Sequence, residues 1–343
     1  MYAFGSTKSS KMIRLTAFSI SYCLLVSPAA VAFAPSRPTI GGGASTNAKS
    51  TPTQLAVSYL DSLSGSGGGA SAAAPSWAAA APVATPAAGA DTSASGPFAH
   101  APLDYFALPN LSGKGPRATA DWGTPADATR KLSDDGMLRS GAWYCSEGGW
   151  PSPNPKAHTE IFYVLDGHGM LGDADGAKHY FGPGDTVIIP KGHTGRWDVH
   201  GPIHKIWAVN AHETIAETST PIRVRVEPYS GCAPHCLDGG VDALYGSTSA
   251  AGGAAVSSRD FYNVGPTRVG YWSAQPGSVA VGTSGMAQPR TFFYVMEGVL
   301  FVTDAATGTS QRCVAGDTVQ LPKGWVGTID VVEPVRKMYT LAE

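Results

Sequence analysis

The chain has 343 residues, enough for two domains of ordinary size, and only 15% of its residues are charged. Its 42 glycines and 26 prolines indicate many short strands and turns, together with some low-complexity linker. Residues 1–60 hold five basic residues and no acidic one, which leaves 19 basic against 26 acidic residues and a net charge of −7 in 61–343. This acidic body argues against nucleic acid as a partner, because nucleic-acid binding depends on basic contacts to phosphate.

The N-terminus has the three-part layout of a secretory signal peptide. Three basic residues precede an apolar run of 12 residues, 15–26, and the small residues 30–32 follow it. Such a run is too short to span a bilayer comfortably. We therefore expect residues 1–32 to be removed and the mature chain to have no stable membrane span. The alternative is a hydrophobic first helix of the fold.

Residues 33–60 have the composition of a transit peptide. They are rich in Ser, Thr, Pro and Gly, contain Arg37 and Lys49, and lack acidic residues. With the sequence Ala-Phe-Ala-Pro at 32–35, this layout resembles the two-part plastid presequence of diatoms and related algae with complex plastids. The resemblance implies delivery to a plastid by the secretory route.

Residues 61–115 are predicted to be a low-complexity linker. Between 62 and 100 the one formally charged residue is Asp91, and Ala, Ser, Gly and Pro dominate. Such a segment buries too little apolar surface to offset its ordering entropy, so we expect it to be disordered. The apolar residues of 57–63 either end the transit peptide or form a docking patch, which would make 56–100 a contact region for a protein partner.

An internal repeat with a period of about 130 residues occupies the rest of the chain. Residues 162–167 read FYVLDG and residues 293–298 read FYVMEG, while 184–192 read GDTVIIPKG and 316–324 read GDTVQLPKG. A repeat this long predicts two globular units of one kind. The predicted boundaries are 116–215 for the first unit, 216–254 for an inter-domain segment and 255–343 for the second unit.

Each unit reads as short strands separated by turns. Ile161–Leu165 is β-branched and aromatic, and Asp166-Gly167 is a turn signal directly after it. The turn residues 182–185 lead into a second strand, Thr186–Ile189. No segment keeps a 3.6-residue period, so the sequence predicts an all-β sandwich or barrel.

Two spaced motifs identify the kind of barrel. Six residues separate Glu160 from Gly167, and five separate Gly184 from the sequence Pro-Lys-Gly at 190–192. The chain thereby resembles the ureidoglycine aminohydrolase-type cupin domain family, with further matches at Gly141-Ala-Trp143, Gly195-Arg-Trp197 and Lys205-Ile-Trp207. The resemblance covers roughly 137–210 closely and 266–341 more loosely. It implies two tandem cupin domains, each a double-stranded β-helix or jelly-roll barrel.

The resemblance also implies a metal site, from which this sequence departs. A typical metal cupin supplies three His and one Glu, and this set suits divalent Mn, Fe, Ni or Zn. Glu160 is present, but Asn154, Lys156 and Gly195 stand at the His positions. A lysine at a ligand position is positive and opposes a cation.

A shifted metal site is one alternative. His158 lies two residues before Glu160, so a regular strand places both on one face, and His193 lies two residues before Gly195. His158, Glu160 and His193 would then hold a divalent metal such as Mn, Fe or Zn with open coordination positions. The competing interpretation is that both histidines form hydrogen bonds at the rim of the barrel.

The sequence favours a metal-free pocket in the first barrel. A carboxylate and an ammonium beside aromatic rings can orient a small polar molecule or transfer a proton, which makes Glu160, Lys205 and Tyr163 candidate catalytic residues. The alternative is that Glu160 and Lys205 only satisfy each other as half-buried charges. The candidate ligand-binding residues are Trp143, Trp197 and Lys156.

The second unit lacks these polar residues. Thr291 stands where the first unit has Glu160, and neither it nor the neighbouring replacements Pro289 and Trp325 would hold a divalent cation. Aminohydrolases of the family release ammonia from ureidoglycine with a metal in the C-terminal cupin, which this copy does not match. Two functions stay open: binding or conversion of a small polar molecule in the first barrel, or a non-catalytic accessory role in a plastid complex.

The inter-domain segment contains Cys232-Ala-Pro-His-Cys236. Two cysteines at this spacing form a local disulfide, half of a zinc site, or a pair of free thiols. No second pair completes four ligands, so the sequence favours the free thiols.

Overall fold

The computed structural model describes residues 97–213, 220–229, 238–239, 254–283 and 288–343. The predicted signal peptide, the transit segment, the linker up to residue 96 and the Cys232–Cys236 pair lie outside these described residues. Within them, the structure contains no helix of the length and apolar character needed to cross a bilayer.

The described residues form β-strands and two short 3-10 helices, Leu103–Phe106 and Leu108–Asn110. In chain order the strands are β1 Ala99–Ala101, β2 Ser112–Pro116, β3 Trp122–Gly123, β4 Ala126–Asp134, β5 Leu138–Cys145, β6 Gly148–Ser152, β7 Thr159–Asp173, β8 Lys178–Phe181, β9 Thr186–Ile189, β10 Gly195–Asn210, β11 Arg225–Glu227, β12 Asp238–Gly239, β13 Val256–Val264, β14 Thr267–Ala274, β15 Gly277–Val281, β16 Arg290–Asp304, β17 Ser310–Val314, β18 Thr318–Leu321 and β19 Gly327–Ala342.

The strands build two tandem barrel domains with the same topology. In the first, the strand order is β11-β9-β7-β10-β5-β4-β2, with β8 on β7 and β6 on β10. In the second, the order is β1-β18-β16-β19-β14-β13-β12, with β17 on β16 and β15 on β19. The long pair β7–β10 in the first domain therefore corresponds to β16–β19 in the second. For the described residues, the prediction of two tandem all-β barrels is confirmed.

The strand β7 is longer than the sequence predicts. The turn signal at Asp166-Gly167 does not end the strand, which bends there and continues to Asp173. Gly167 has a φ of 78°, and a β-carbon at this position would lie 1.9 Å from the carbonyl oxygen of Pro202 on β10. Glycine therefore allows β7 and β10 to approach closely through a β-bulge.

Each barrel receives one edge strand from outside its predicted boundaries. β1 pairs antiparallel with β18 of the second barrel, and β11 pairs with β9 of the first. The linker prediction is therefore wrong for 97–115, and part of the inter-domain segment 216–254 belongs to the first sheet. Short backbone segments fill these edges because an uncovered edge strand leaves its N–H and C=O groups unpaired.

The two barrels share a buried apolar cluster between their sheets. The rings of Tyr163 and Tyr294, one from each barrel, lie 4.7 Å apart between centroids. The Tyr271 hydroxyl donates to Thr186 Oγ1 at 3.0 Å, which adds a buried hydrogen bond across the interface. The cluster includes Ile161, Ile188, Ile206, Tyr271, Phe292 and Met338.

Candidate functional site

The candidate site lies inside the first barrel, on the strands β5, β7 and β10. Side chains alternate along a strand, so Phe162 and Val164 of β7 point into the apolar interior of this barrel. Lys205 of β10 lies opposite Trp143 of β5 on one side and opposite Val164 on the other. This register places the lysine among interior residues.

Glu160 joins two lysines of different exposure. Lys205 Nζ lies 2.7 Å from Glu160 Oε1, and Lys156 Nζ donates to Glu160 Oε2. The side chain of Lys205 is 3% exposed, that of Glu160 is 14% exposed, and that of Lys156 is 34% exposed. The cluster therefore extends from the barrel interior to solvent, with Lys156 at the open end.

An aromatic box surrounds the inner lysine. The Lys205 ammonium lies 3.8 Å from the ring centroid of Phe162 and 4.6 Å from those of Trp143 and Trp197. Aromatic faces attract a cation, so the box stabilises the ammonium while excluding water. Trp150 stacks on Trp197 with centroids 5.9 Å apart and extends the box.

The charges of the cluster support one another. Burial by itself raises the pKa of Glu160, but the adjacent ammonium groups of Lys156 and Lys205 outweigh it and hold that pKa well below its usual range. Burial lowers the pKa of Lys205, and the Glu160 carboxylate opposes this shift. Glu160 is therefore ionised at neutral pH, and two ammonium groups facing one carboxylate give the site an excess of one positive charge.

Tyr163 does not join this site, so its assignment as a partner of Glu160 is wrong. It lies three residues after Glu160 on a continuous strand, and an odd spacing places two side chains on opposite faces. Its ring packs in the cluster between the barrels, beside Tyr294.

The shifted metal site is not assembled either. The ligand atoms of His158, Glu160 and His193 do not all come within 4.8 Å of one another. His193 is buried and bonds through Nε2 to Asp173 Oδ1 at 3.0 Å, while both oxygens of Glu160 face lysine ammonium groups. Lys156 stands at one of the usual ligand positions of a metal cupin, and its positive charge repels a metal ion. The residues at the usual cupin metal position therefore do not fit a metal ion.

The second barrel repeats the caged lysine without the carboxylate. Lys337 Nζ lies 4.2 Å from the ring centroids of both Trp272 and Phe293, and its side chain is fully buried. Thr291 is buried at the position equivalent to Glu160, opposite Leu321 of β18 as Glu160 is opposite Ile189 of β9.

The sequence reasoning missed Phe162 and Arg117 as parts of the site. Phe162 makes the nearest ring contact to Lys205. Its presence as Phe293 in the second repeat could have identified it as a residue of the site. Arg117 stacks over Trp150 at 4.1 Å and pairs with Asp127 at 2.5 Å. No sequence pattern indicates this contact, because Arg117 lies outside the matched motifs.

Comparison with known families and structures supports the cupin fold of both domains. The EutQ-like cupin domain model matches residues 132–207 and 263–339. The putative glyoxylate-induced protein of Pseudomonas aeruginosa superposes with a TM-score of 0.51 at 14% identity, covering 72% of this chain and 89% of its own. Both domains have the cupin fold, as the sequence predicts.

Two other solved structures are similar with lower TM-scores. The protein YlbA of E. coli has a TM-score of 0.46 at 12% identity, over 72% of this chain and 90% of its own. A variant of the oxalate decarboxylase of Bacillus subtilis has a TM-score of 0.41 at 12% identity, over 71% and 77%. No curated protein matches the chain significantly.

Proposed function

We propose that the protein is a tandem cupin whose first barrel binds a small carboxylate or a similar anion at the Lys156 end of the charge cluster. The observation that carries this proposal is the excess of ammonium groups over carboxylates where the barrel opens to solvent. An enclosed site with unbalanced positive charge attracts an anion more strongly than the same charge in bulk water.

The geometry favours a ligand bound at Lys156. An ammonium group has three donors, and Lys156 directs one of them at Glu160, which leaves donors for a ligand. Lys205 is enclosed by aromatic rings and by Glu160, so it fixes the position of the carboxylate.

Binding is better supported than proton transfer. A general base is most effective when its pKa is near the working pH, whereas the two lysines hold the pKa of Glu160 far below it. The same lowering keeps Glu160 deprotonated, so it has no proton to donate. The site therefore favours a binding role over conversion of the ligand.

Calorimetric titration of the full chain with formate, acetate, oxalate and glyoxylate tests the proposal. We expect binding that weakens with added salt, is at least tenfold weaker in Lys156→Met and is unchanged in the control Lys178→Met, which removes an exposed lysine of the same barrel. Glu160→Gln should tighten anion binding, because it removes the opposing charge. Binding that is equal in Lys156→Met, or is lost in Glu160→Gln protein whose circular dichroism shows it to be folded at the titration temperature, would exclude an anion site.

An accessory role in a plastid complex is the second candidate. The second barrel keeps its caged Lys337 although Thr291 replaces the carboxylate, which supports a structural role for a lysine in this box. Residues 56–100 would then attach the protein to its partner. Deletion of 56–96, outside the described residues, should shift the native protein from a large complex to a smaller particle in a density gradient while anion binding stays unchanged.

We also propose that residues 1–60 direct the protein to a plastid. A fluorescent reporter carrying 1–60 should enter the plastid of a diatom, and Phe33→Ala should divert it to the secretory route. Ser36→Ala, three residues further on, is the matched control. Plastid import that survives Phe33→Ala would remove the basis of this assignment.

A further inference from the structure

Three potential metal ligands meet where β1 joins the second barrel. His100 lies at the centre of β1, opposite Val319 of β18, and its Nε2 is 3.1 Å from Asp317 Oδ2. Cys313 lies on β17, and the ligand atoms of His100, Cys313 and Asp317 all lie within 4.8 Å of one another. Cys313 and Asp317 are buried, whereas the side chain of His100 is 16% exposed.

The first barrel provides a comparison within the same chain. Asp185 corresponds to Asp317, and each carboxylate accepts the backbone N–H of the residue three positions before it. Phe181 lies four residues before Asp185, as Cys313 lies four residues before Asp317. Val226 is opposite Val187 on β9, as His100 is opposite Val319 on β18.

The two barrels therefore differ at this position in one chemical respect. The first barrel has Val226 and Phe181, which pack as ordinary apolar residues. The second has an imidazole and a thiol at the same places: the imidazole contacts the Asp317 carboxylate, and the thiol lies within 4.8 Å of both other ligand atoms. Apolar packing alone does not require these groups, since the first barrel satisfies it without them.

We propose that His100, Cys313 and Asp317 bind a divalent zinc ion. Thiolate sulphur, imidazole nitrogen and carboxylate oxygen are the ligand types that zinc prefers, and tetrahedral zinc holds its ligand atoms about 3–4 Å apart. Three protein ligands leave the fourth position for water on the partly exposed side of His100. The thiolate and the carboxylate together would balance the charge of the divalent ion. Burial raises the pKa of the Cys313 thiol to about 12, and the positive charges of Lys337 and Arg312 oppose this shift.

Bound zinc would fix the N-terminal edge strand to the C-terminal barrel. β1 has only three residues, so its backbone pairing with β18 provides little stability of its own. A metal that bridges residue 100 to residues 313 and 317 binds the folded chain and not the unfolded one, so it stabilises this attachment by mass action. Without zinc, the His100–Asp317 hydrogen bond is the remaining side-chain contact among the three.

Cobalt(II) is a suitable probe because a cobalt–thiolate bond absorbs in the near ultraviolet, which reports the sulphur ligand directly. Every protein is the full chain with Cys232→Ala and Cys236→Ala, so that these two cysteines of the inter-domain segment contribute no thiolate signal. The variants are His100→Val, which installs the residue of the first barrel, and Cys313→Ala. Cys145→Ala is the matched control, because Cys145 is the buried free cysteine of the first barrel.

We expect one cobalt per chain with a thiolate band, displacement of the band by zinc, and a higher Tm with zinc than with chelator. The Cys145→Ala control should behave in the same way. His100→Val and Cys313→Ala should bind at least tenfold more weakly and show no rise of Tm with zinc. His100→Val with an unchanged Tm in chelator shows that the fold is intact. Absence of the band in the parent protein, or its persistence in His100→Val, would overturn the proposal.

Discussion

Glu160 is held by one buried and one partly exposed ammonium group, and these two contacts differ in energy. A partly exposed ion pair contributes little, because water screens it and side-chain entropy opposes it. The pair with Lys205 is different, because that lysine is enclosed by aromatic rings and its side chain is only 3% exposed. Loss of the carboxylate would leave an uncompensated charge in the barrel.

We predict that Glu160→Gln lowers the free energy of unfolding by about 3–5 kcal/mol, the usual effect of breaking a buried ion pair from one side. The double variant Glu160→Gln with Lys205→Met should recover most of the loss, because a thioether packs well against aromatic rings. Urea denaturation of the single and double variants measures both effects. The exposed pair of Lys131 and Asp134 is the control: Asp134→Asn should change stability by less than about 1 kcal/mol. Equal stability of Glu160→Gln and the parent would contradict the structural importance of the pair.

His204 gives the fold a sensitivity to acid. It is buried on β10, and burial lowers its pKa to about 4, although the backbone of Phe106 opposes the shift. An unfolded histidine has a pKa of about 6.5, so between these values the unfolded chain binds more protons than the folded one. Stability contributed by neutral His204 is therefore complete above about pH 6.5 and lost as pH falls towards about 4, by about 3 kcal/mol.

His204→Leu should remove this part of the pH dependence. Chemical denaturation at intervals between pH 7 and pH 4 should give a flatter stability profile for the variant than for the parent protein. His168→Asn, at an exposed position on β7, should leave the profile unchanged. Parallel profiles for His204→Leu and the parent would show that another group causes the acid sensitivity.

The sequence predicted Glu160 and Lys205 together with the neighbouring residues Trp143, Trp197 and Lys156, and it missed Phe162 and Arg117. The pair of Glu160 with Lys205 followed from the repeat, because the motif positions fix both residues on paired strands. Tyr163 was misplaced although strand alternation alone would have excluded it, since it lies three residues from Glu160. The cluster of His100, Cys313 and Asp317 could not be predicted, because its members are brought together by a strand more than 200 residues away in sequence.

At the scale of single elements, the bends in the long strands depend on glycine. Gly167 on β7 and Gly298 on β16 have φ values of 78° and 85°, and a β-carbon at either would meet a backbone carbonyl oxygen at 1.9 or 2.1 Å. Gly176 has a similar φ of 87°, but a β-carbon there would meet nothing within 4 Å. A substitution at Gly176 therefore tests backbone strain alone, whereas one at Gly167 tests backbone strain together with a steric clash.

We predict that Gly167→Ala destabilises the protein more than Gly176→Ala. The control should cost about 1–2 kcal/mol, the strain of a left-handed alanine. Gly167→Ala adds a clash with the Pro202 carbonyl that neither strand can relieve without breaking their pairing. Thermal denaturation should therefore show a clearly larger fall in Tm for Gly167→Ala. Equal values would indicate that β7 and β10 can separate at the bulge at no cost.

The same positions show why strand ends were hard to predict. Thr186–Ile189 was predicted correctly, because turn residues flank it on both sides and all four of its residues are β-branched. The Asp-Gly signal at 166–167 usually closes a hairpin, but here the carbonyl of Pro202 occupies the space beside Gly167, and the strand bends around it. β1 has three residues, Ala-His-Ala, which are too few for their alternation to distinguish the strand from the linker before it.

At the scale of the whole molecule, the two barrels are joined by more than their connecting chain. The N-terminal strand β1 completes a sheet of the second barrel before the chain enters the first. Between the barrels, Ser140 Oγ donates to Gln320 Oε1 at 2.6 Å, and Gln320 Nε2 donates to the Leu138 carbonyl at 3.0 Å. Because both bonds are buried, each barrel satisfies polar groups of the other.

We predict that Gln320→Ala weakens both barrels together. It leaves the Ser140 hydroxyl buried without its acceptor, at a cost of about 1–3 kcal/mol. It also removes one of the two donors to the Leu138 carbonyl, which still accepts from the Asp135 N–H. Hydrogen exchange measured peptide by peptide should show reduced protection in β5 of the first barrel as well as β18 of the second. Ser278→Ala, which removes an exposed hydrogen bond to Asp330 within the second barrel, should leave the first barrel unchanged. Reduced protection in the second barrel alone would contradict this prediction. It would mean that the two barrels unfold independently and that the apolar cluster between them does not couple their unfolding.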